Sequence, residues 1–230
     1  MPKKSANLVA AGARWIERGE GSAALDRPLS AWSKRSFDVA TAVTILLMFL
    51  PLLAVIGLAL LAQGRPMLIR HRRIGRGGDL FPCLKFRTMV VNGDEVLRQH
   101  LANDPVAREE WASSQKLKND PRVTPLGRVL RKSSLDELPQ LFNVLRGEMS
   151  LVGPRPIVPA EAVHYGVHIE KYHAVRPGLT GAWQVSGRSD VSYHQRVSLD
   201  CNYVETRNFR GDIGIMLMTI PAVLKSKGSY

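Results

Sequence analysis

The segment Ser133-Ser134-Leu135-Asp136-Glu137-Leu138-Pro139 sets two carboxylates side by side. An ionised carboxylate can attack phosphorus and hold the transferred group as an acyl phosphate, a form of covalent catalysis. A neighbouring carboxylate suits magnesium, which takes few protein oxygens and completes its shell with substrate phosphates. The metal then offsets charge on a diphosphate. A structural reading competes with this chemistry. Ser134-x-x-Glu137 has the spacing of a capping box, and acids favour a helix start in any case. Pro139 counts against a helix beginning after Ser134, because its ring would crowd the carbonyl of Leu135. A start at Asp136 puts Pro139 in the tolerated first turn. In either register both acids sit at a helix start, where the local field favours their ionised forms. On spacing alone, capping outweighs catalysis.

Cations stand where a phosphate-transfer site would need them. Lys85 and Arg87 are two apart in a probable strand, so they point to one face. Arg128, Arg131 and Lys132 immediately precede the acids. Taken singly, each of these reads as a solvated surface charge. Arg155 is different: it lies between Pro154 and Pro156, and a stiffened backbone lowers the ordering cost of binding phosphate. The net charge of +12 over 230 residues suits nucleic acid, anionic lipid or a phosphate-rich substrate. No nucleic-acid motif accompanies it, so no nucleic-acid partner is expected. The two cysteines, Cys83 and Cys201, are far apart and read as free thiols, not as a disulfide or zinc site. His164 and His168 have helical spacing but lack the glutamate of a zinc-protease motif.

The elements that must position these residues begin with a hydrophobic segment. Val39 to Ala62 contains no charged residue and is long enough to cross a hydrocarbon core. Pro51 sits at its middle and is expected to bend it. Lys34 and Arg35 precede the segment; Arg65, Arg70, Arg72, Arg73 and Arg76 follow it. A spanning helix should have basic residues mainly on its cytoplasmic flank. Basic flanks on both sides instead favour a re-entrant hairpin that enters, turns at Pro51 and returns. Beyond it, 67–73 and 80–88 read as strands around a glycine-rich turn. The stretch 94–111 reads as a helix interrupted near Asp104-Pro105. Short helical pieces follow over 126–131 and 138–145, the second ended by Gly147. Residues 149–152 read as extended, 160–173 as a helix and 176–188 as a structured loop. Two helices close the chain, 192–203 and 213–225; the second is apolar with a lysine-rich end and suits a membrane surface. Residues 1–33 read as a mobile tail with a short helix near 11–18.

Several segments in order resemble one family. They are Lys34-Arg35-Ser36-Phe37-Asp38, Lys85-Phe86-Arg87-Thr88-Met89 and Ser134-Leu135-Asp136-Glu137-Leu138-Pro139-Gln140-Leu141. Gly153-Pro154-Arg155-Pro156, Arg176-Pro177-Gly178-Leu179-Thr180-Gly181 and Gln184-Val185-x-Gly187-Arg188 continue the series. Together they resemble the monotopic phosphoglycosyl transferases, bacterial sugar transferases that start glycan assembly. The resemblance implies that Asp136 is the nucleophile and that Glu137, with Asp136, holds Mg2+. It implies that Lys85, Arg131 and Arg155 surround the phosphates, with Arg87 and Arg188 as further substrate-binding positions, and leaves the roles of Asp200 and Asp212 unassigned. In this sequence Leu50 precedes Pro51 where the family often has serine. The implied reaction moves hexose-1-phosphate, from UDP-galactose or UDP-glucose, onto undecaprenyl phosphate for exopolysaccharide synthesis.

The expected fold is α+β: a tail (1–33), a re-entrant helix-break-helix membrane hairpin (34–65), and a small cytosolic α/β catalytic domain (66–230) with amphipathic interfacial helices. The expected place is the cytoplasmic face of the bacterial inner membrane, with room for a homodimer. A membrane-tethered basic binding protein and a nucleotide-sugar hydrolase are the rival readings.

Overall fold

The computed structural model describes residues 30–186 and 192–224. Helix α1, Ala31–Ala62, opens on Ser30, whose hydroxyl accepts from the Ser33 amide, and carries Pro51 inside it. The expected helix-break-helix is therefore one helical element. Proline removes one donor, and the turns on either side keep their own bonds. The burial of α1 is uneven. Asp38 and Ala42 are buried near its start and Ile56, Gly57 and Leu60 near its end. Between them Leu47, Met48, Leu50 and Val55 are exposed. By length and composition α1 could cross a membrane.

The expected hairpin is present as β1, Leu68–Ile74, antiparallel to β2, Leu80–Phe86, from Leu68 opposite Phe86 to Ile74 opposite Leu80. A 3-10 turn over Arg76–Gly78 joins them, with Gly77 at a positive φ of 76°. Next come α2, Gly93–Asn103, and α3, Pro105–Ser114, which meet at Asp104. The Asp104 side chain accepts from the Ala107 amide, and Pro105 occupies the first turn where its missing donor costs nothing.

Helix α4, Pro125–Ser133, is capped by Thr124; α5, Gln140–Arg146, ends at Gly147 in the left-handed conformation. Strand β3, Ser150–Val152, pairs in parallel with β4, Gly178–Thr180. Their backbones cross so closely that a Cβ on Gly178 would lie 2.2 Å from the Gly153 amide nitrogen. The stretch expected as one helix over 160–173 is a 3-10 segment, Pro159–His168, followed by α6, Ile169–His173. Gly166, at φ 48°, interrupts the helical path there. The stretch expected as a loop over 176–188 contains β4 and α7, Ala182–Val185. Two longer helices follow, α8, Tyr193–Thr206, and α9, Phe209–Leu224.

The fold is thus a mixture of helices and strands, but the described strands form two two-stranded sheets and no larger α/β sheet. One core joins Ala42 of α1 to Cys83, Leu141, Val144, Leu151, Tyr203 and Ile215. A second gathers Ile56 and Leu60 of α1 with Phe86 and Leu130. Both ends of α1 are therefore packed into the body.

Candidate active site

Strand β2 delivers Lys85, and the elbow between α4 and α5 delivers the acids. Helix α4 ends on Ser134, a non-glycine residue in the left-handed conformation (φ 57°), and a 3-10 turn over Leu135–Glu137 follows. Neither capping register forms: the Ser134 side chain makes no cap bond to the turn, and α5 begins only at Gln140. Glu137 turns to Lys85, whose Nζ donates to Oε1 at 2.6 Å. The same Nζ lies 4.0 Å from Asp136 Oδ2. The elbow is fixed from behind by a close approach. A Cβ on Gly127 would fall 1.9 Å from the Thr88 carbonyl oxygen, so α4 lies directly on the backbone after β2. There Arg131 Nε donates to Thr88 Oγ1 at 2.9 Å.

Asp136 is buried. The sequence predicts a field that favours its ionised form, but burial wins and pushes the carboxyl up to about 6. The Lys85 charge opposes that shift, Glu137 adds to it, and Arg131 opposes it more weakly. At neutral pH such a group is mainly a carboxylate, and a more basic one than an exposed aspartate.

Asp136 and Glu137 open onto a cleft of about 840 Å³. Its lining includes the cations Lys85, Arg131 and Arg155, and also apolar side chains: Ile45 and Phe49 from α1 and Met216, Ala222 and Val223 from α9. Of the sequence-predicted site residues, Lys85, Arg131, Arg155, Asp136 and Glu137 come together here. Arg87 does not. It lies just beyond β2 and is buried, and its Nη2 donates to the Leu60 and Gln63 carbonyls at 3.1 and 3.2 Å. It caps the end of α1, where a cation suits the terminal carbonyls, because the strand that would have held it on the Lys85 face stops at Phe86. Arg188 falls outside the described residues, as does the short helix expected near 11–18. Pro51 sits in the exposed middle of α1, away from the cleft lining.

Sequence reasoning missed the aromatic end of the cleft. Arg155 and Arg196 lie over the Trp183 ring, their guanidinium carbons 5.6 and 4.6 Å from its centre. Tyr165 Oη donates to Asp200 Oδ2 at 2.7 Å. Burial pushes the Asp200 carboxyl up to about 7, against the Tyr165 hydroxyl and the Arg155 backbone and charge. Trp183 stands in the gap between the motifs over 176–181 and 184–188, and only packing reveals its stacked guanidinium partners.

The donor set bears on the implied metal. Among the described residues no three His, Cys, Asp or Glu side chains converge on one point. Two adjacent carboxylates facing a cleft, with no cage around them, fit magnesium that arrives with a diphosphate, because magnesium keeps few protein ligands. Asp212, the other acid left without a role, is buried elsewhere. Lys34 Nζ bridges Asp38 Oδ1 at 2.9 Å and Asp212 Oδ2 at 2.8 Å.

Comparison with known proteins identifies the family. The sequence model described as bacterial sugar transferase matches residues 29–226. The chain is 51% identical over 228 residues to the exopolysaccharide production protein ExoY of Sinorhizobium fredii, covering 99% of this chain and all of that one. It is 51% identical over 201 residues to the undecaprenyl-phosphate galactose phosphotransferase of Salmonella typhimurium, covering 87% of this chain but 42% of that longer one. It is 40% identical over 206 residues to the UDP-glucose:undecaprenyl-phosphate glucose-1-phosphate transferase of Caulobacter vibrioides, covering 86% and 72%. With nearly its whole length matched and the paired acids facing a cationic cleft, the chain is an enzyme of the bacterial sugar transferase family.

Proposed function

We propose that this enzyme transfers hexose-1-phosphate from a UDP-sugar to undecaprenyl phosphate in two steps through Asp136. The observation that carries the proposal is one cleft with two kinds of lining: a buried basic carboxylate with Lys85, Arg131 and Arg155, and apolar side chains from α1 and α9. The names of the Salmonella and Caulobacter relatives support the galactose or glucose donor and the lipid acceptor.

In the first step an Asp136 carboxylate oxygen bonds to the phosphorus that bears the sugar. The bond from that phosphorus to the bridging oxygen breaks, and UMP leaves with the electron pair. In the second, a phosphate oxygen of undecaprenyl phosphate attacks the same phosphorus. The acyl phosphate bond breaks, leaving the lipid-linked sugar diphosphate and a free Asp136 carboxylate. Splitting the transfer lets a soluble donor and a membrane-held acceptor use one site in turn. Lys85 orients the pair by holding Glu137, and Arg131 and Arg155 bind phosphate oxygens. Mg2+ held by Glu137, with Asp136 beside it, would neutralise charge on the diphosphate and the leaving UMP. The hydrophobic helix would sit in the bacterial inner membrane as a re-entrant hairpin, with the catalytic body on the cytoplasmic face. The basic flanks and the burial of both ends of α1 in one body support this placement.

Asp136→Asn tests the mechanism. It keeps the shape and removes the nucleophile, so release of UMP from UDP-galactose or UDP-glucose should fall at least about a thousandfold while the protein stays folded and membrane-bound. Wild-type enzyme given UDP-sugar radiolabelled in the sugar, without lipid, should carry label on Asp136. Absence of label together with intersecting initial-rate plots rules out the covalent intermediate; UMP release that ignores the lipid marks a hydrolase.

A further inference from the structure

Among the described residues, two buried oxygens that line the cleft, Asp200 Oδ1 and Gln184 Oε1, have no hydrogen-bond partner, although the Arg155 backbone also acts on the Asp200 carboxyl. Each side chain is anchored at its other end. Asp200 Oδ2 accepts from Tyr165 Oη at 2.7 Å, and Gln184 Nε2 reaches the Leu179 carbonyl at 3.4 Å. A buried acceptor left unmet is costly, and folded interiors seldom keep one without a use. Asp200 is only 2% exposed, so bulk water is a poor partner for it.

The two residues belong together. They sit on α8 and α7, which pack against each other, and both line the cleft of Asp136. Gln184 also borders, with Lys85, Glu137 and Arg155, a small recess beside the acids. The neighbouring guanidinium of Arg155 is assigned to phosphate in the transfer proposed above. Phosphate oxygens of a diphosphate ester only accept, so they cannot satisfy the Gln184 amide oxygen or the ionised form of Asp200. A hydrogen-bond donor must do so. Uracil offers one such donor, its ring N–H, and the ribose two hydroxyls on the far side of the diphosphate, whereas a hexose offers several hydroxyls held next to the phosphorus that Asp136 attacks.

We propose that Asp200 Oδ1 and Gln184 Oε1 receive hydroxyls of the transferred hexose, and so determine which nucleotide-sugar the enzyme accepts. The proposal rests on the phosphoglycosyl transfer described above. Tyr165 acts as the positioning residue: its hydroxyl holds the outer oxygen of Asp200, and its ring meets that of Tyr172 edge-on at 5.2 Å.

Deoxyfluoro analogues of the UDP-hexose test this. Fluorine keeps the size of a hydroxyl but cannot donate, and the bond that breaks is at phosphorus, so the sugar carbons report recognition. Full-length enzyme in lipid nanodiscs with undecaprenyl phosphate is assayed with the preferred UDP-hexose, its 2-, 3-, 4- and 6-deoxyfluoro analogues, and the 2′-deoxyuridine counterpart. Wild type should favour the natural hexose over at least one analogue by about 10- to 100-fold in kcat/KM, the range of one or two lost hydrogen bonds to a polar site. In Asp200→Asn, and separately in Gln184→Leu, that preference should shrink to about threefold or less. Two variants on different helices guard against one of them failing to fold. Equal losses for all donors, with the preference intact, would make the pair structural and overturn the proposal. A preference lost only against the 2′-deoxyuridine donor would assign the pair to the ribose and overturn it too. Wild type inert with every UDP-hexose would sink the transferase reading itself, and this inference with it.

Discussion

Asp136 has to be ionised to attack phosphorus, and burial works against that. The sign of the pH dependence follows. With the carboxyl at about 6, kcat/KM for the UDP-sugar should fall about tenfold per unit below that pH and level off above it. Undecaprenyl phosphate does not enter this parameter in a two-step transfer, so its own titration cannot imitate the limb. Lys85 is the strongest influence holding Asp136 down. Lys85→Met should therefore move the limb to higher pH as well as lower the plateau; a limb that stays in place would detach Lys85 from Asp136. Arg155 offers a second test at this scale. A fork of donors suits phosphate in a way that one ammonium cannot match, so Arg155→Lys should cost about 10- to 100-fold in kcat/KM although charge is kept. Near-normal turnover would reduce Arg155 to a surface charge.

At the scale of elements, the question is how an apolar helix is held to the rest of the fold. Residues Lys34, Arg35 and Asp38 do this at its start. Arg35 donates to the Val144 and Leu145 carbonyls at the end of α5. Asp38 accepts from Ser150 Oγ at 2.8 Å and from the Leu151 amide at 3.3 Å. Asp212 accepts from Tyr203 Oη at 2.8 Å, and Lys34 joins the two acids. Both carboxylates are only 2% exposed. Lys34→Met would strand two buried like charges, at a cost of about 3–5 kcal/mol. Thermal unfolding in detergent should show a melting point lower by several degrees. Adding Asp212→Asn should recover part of it, because one carboxylate then needs no cation; no recovery would mean that Lys34 acts through packing alone.

At the scale of the whole molecule, the two ends of α1 are fastened to one body, by the Lys34 cluster and by Arg87 on the Leu60 and Gln63 carbonyls. The apolar middle, around Met48–Leu52, is exposed, which suits lipid in the proposed placement. The re-entrant arrangement predicts that tags at both chain ends are protected from reagents added outside intact spheroplasts. Periplasmic access to one end alone would show a span instead. Pro51→Leu should shift the population toward spanning, since it restores the missing donor and removes the clash that favours a turn.

Local chemistry made much of this legible without a fold. The strand pair, the interruption at Asp104-Pro105 and the stop at Gly147 follow from turn residues and proline geometry, which act within a few positions. The paired acids, Lys85, Arg131 and Arg155 were likewise visible as types and spacings. What sequence spacing got wrong depended on neighbours far along the chain. Ser134 offers a cap by spacing, but Gly127 on Thr88 forces the chain through a left-handed turn, and Glu137 finds Lys85 instead. Arg87 shares the Lys85 face only while the strand continues, and α1 claims its guanidinium. Burial, which sets the Asp136 carboxyl at about 6 and leaves Asp200 and Gln184 each with an unmet oxygen, is a sum over several packed elements. No short window of residues contains that sum, so only the tertiary structure could decide it.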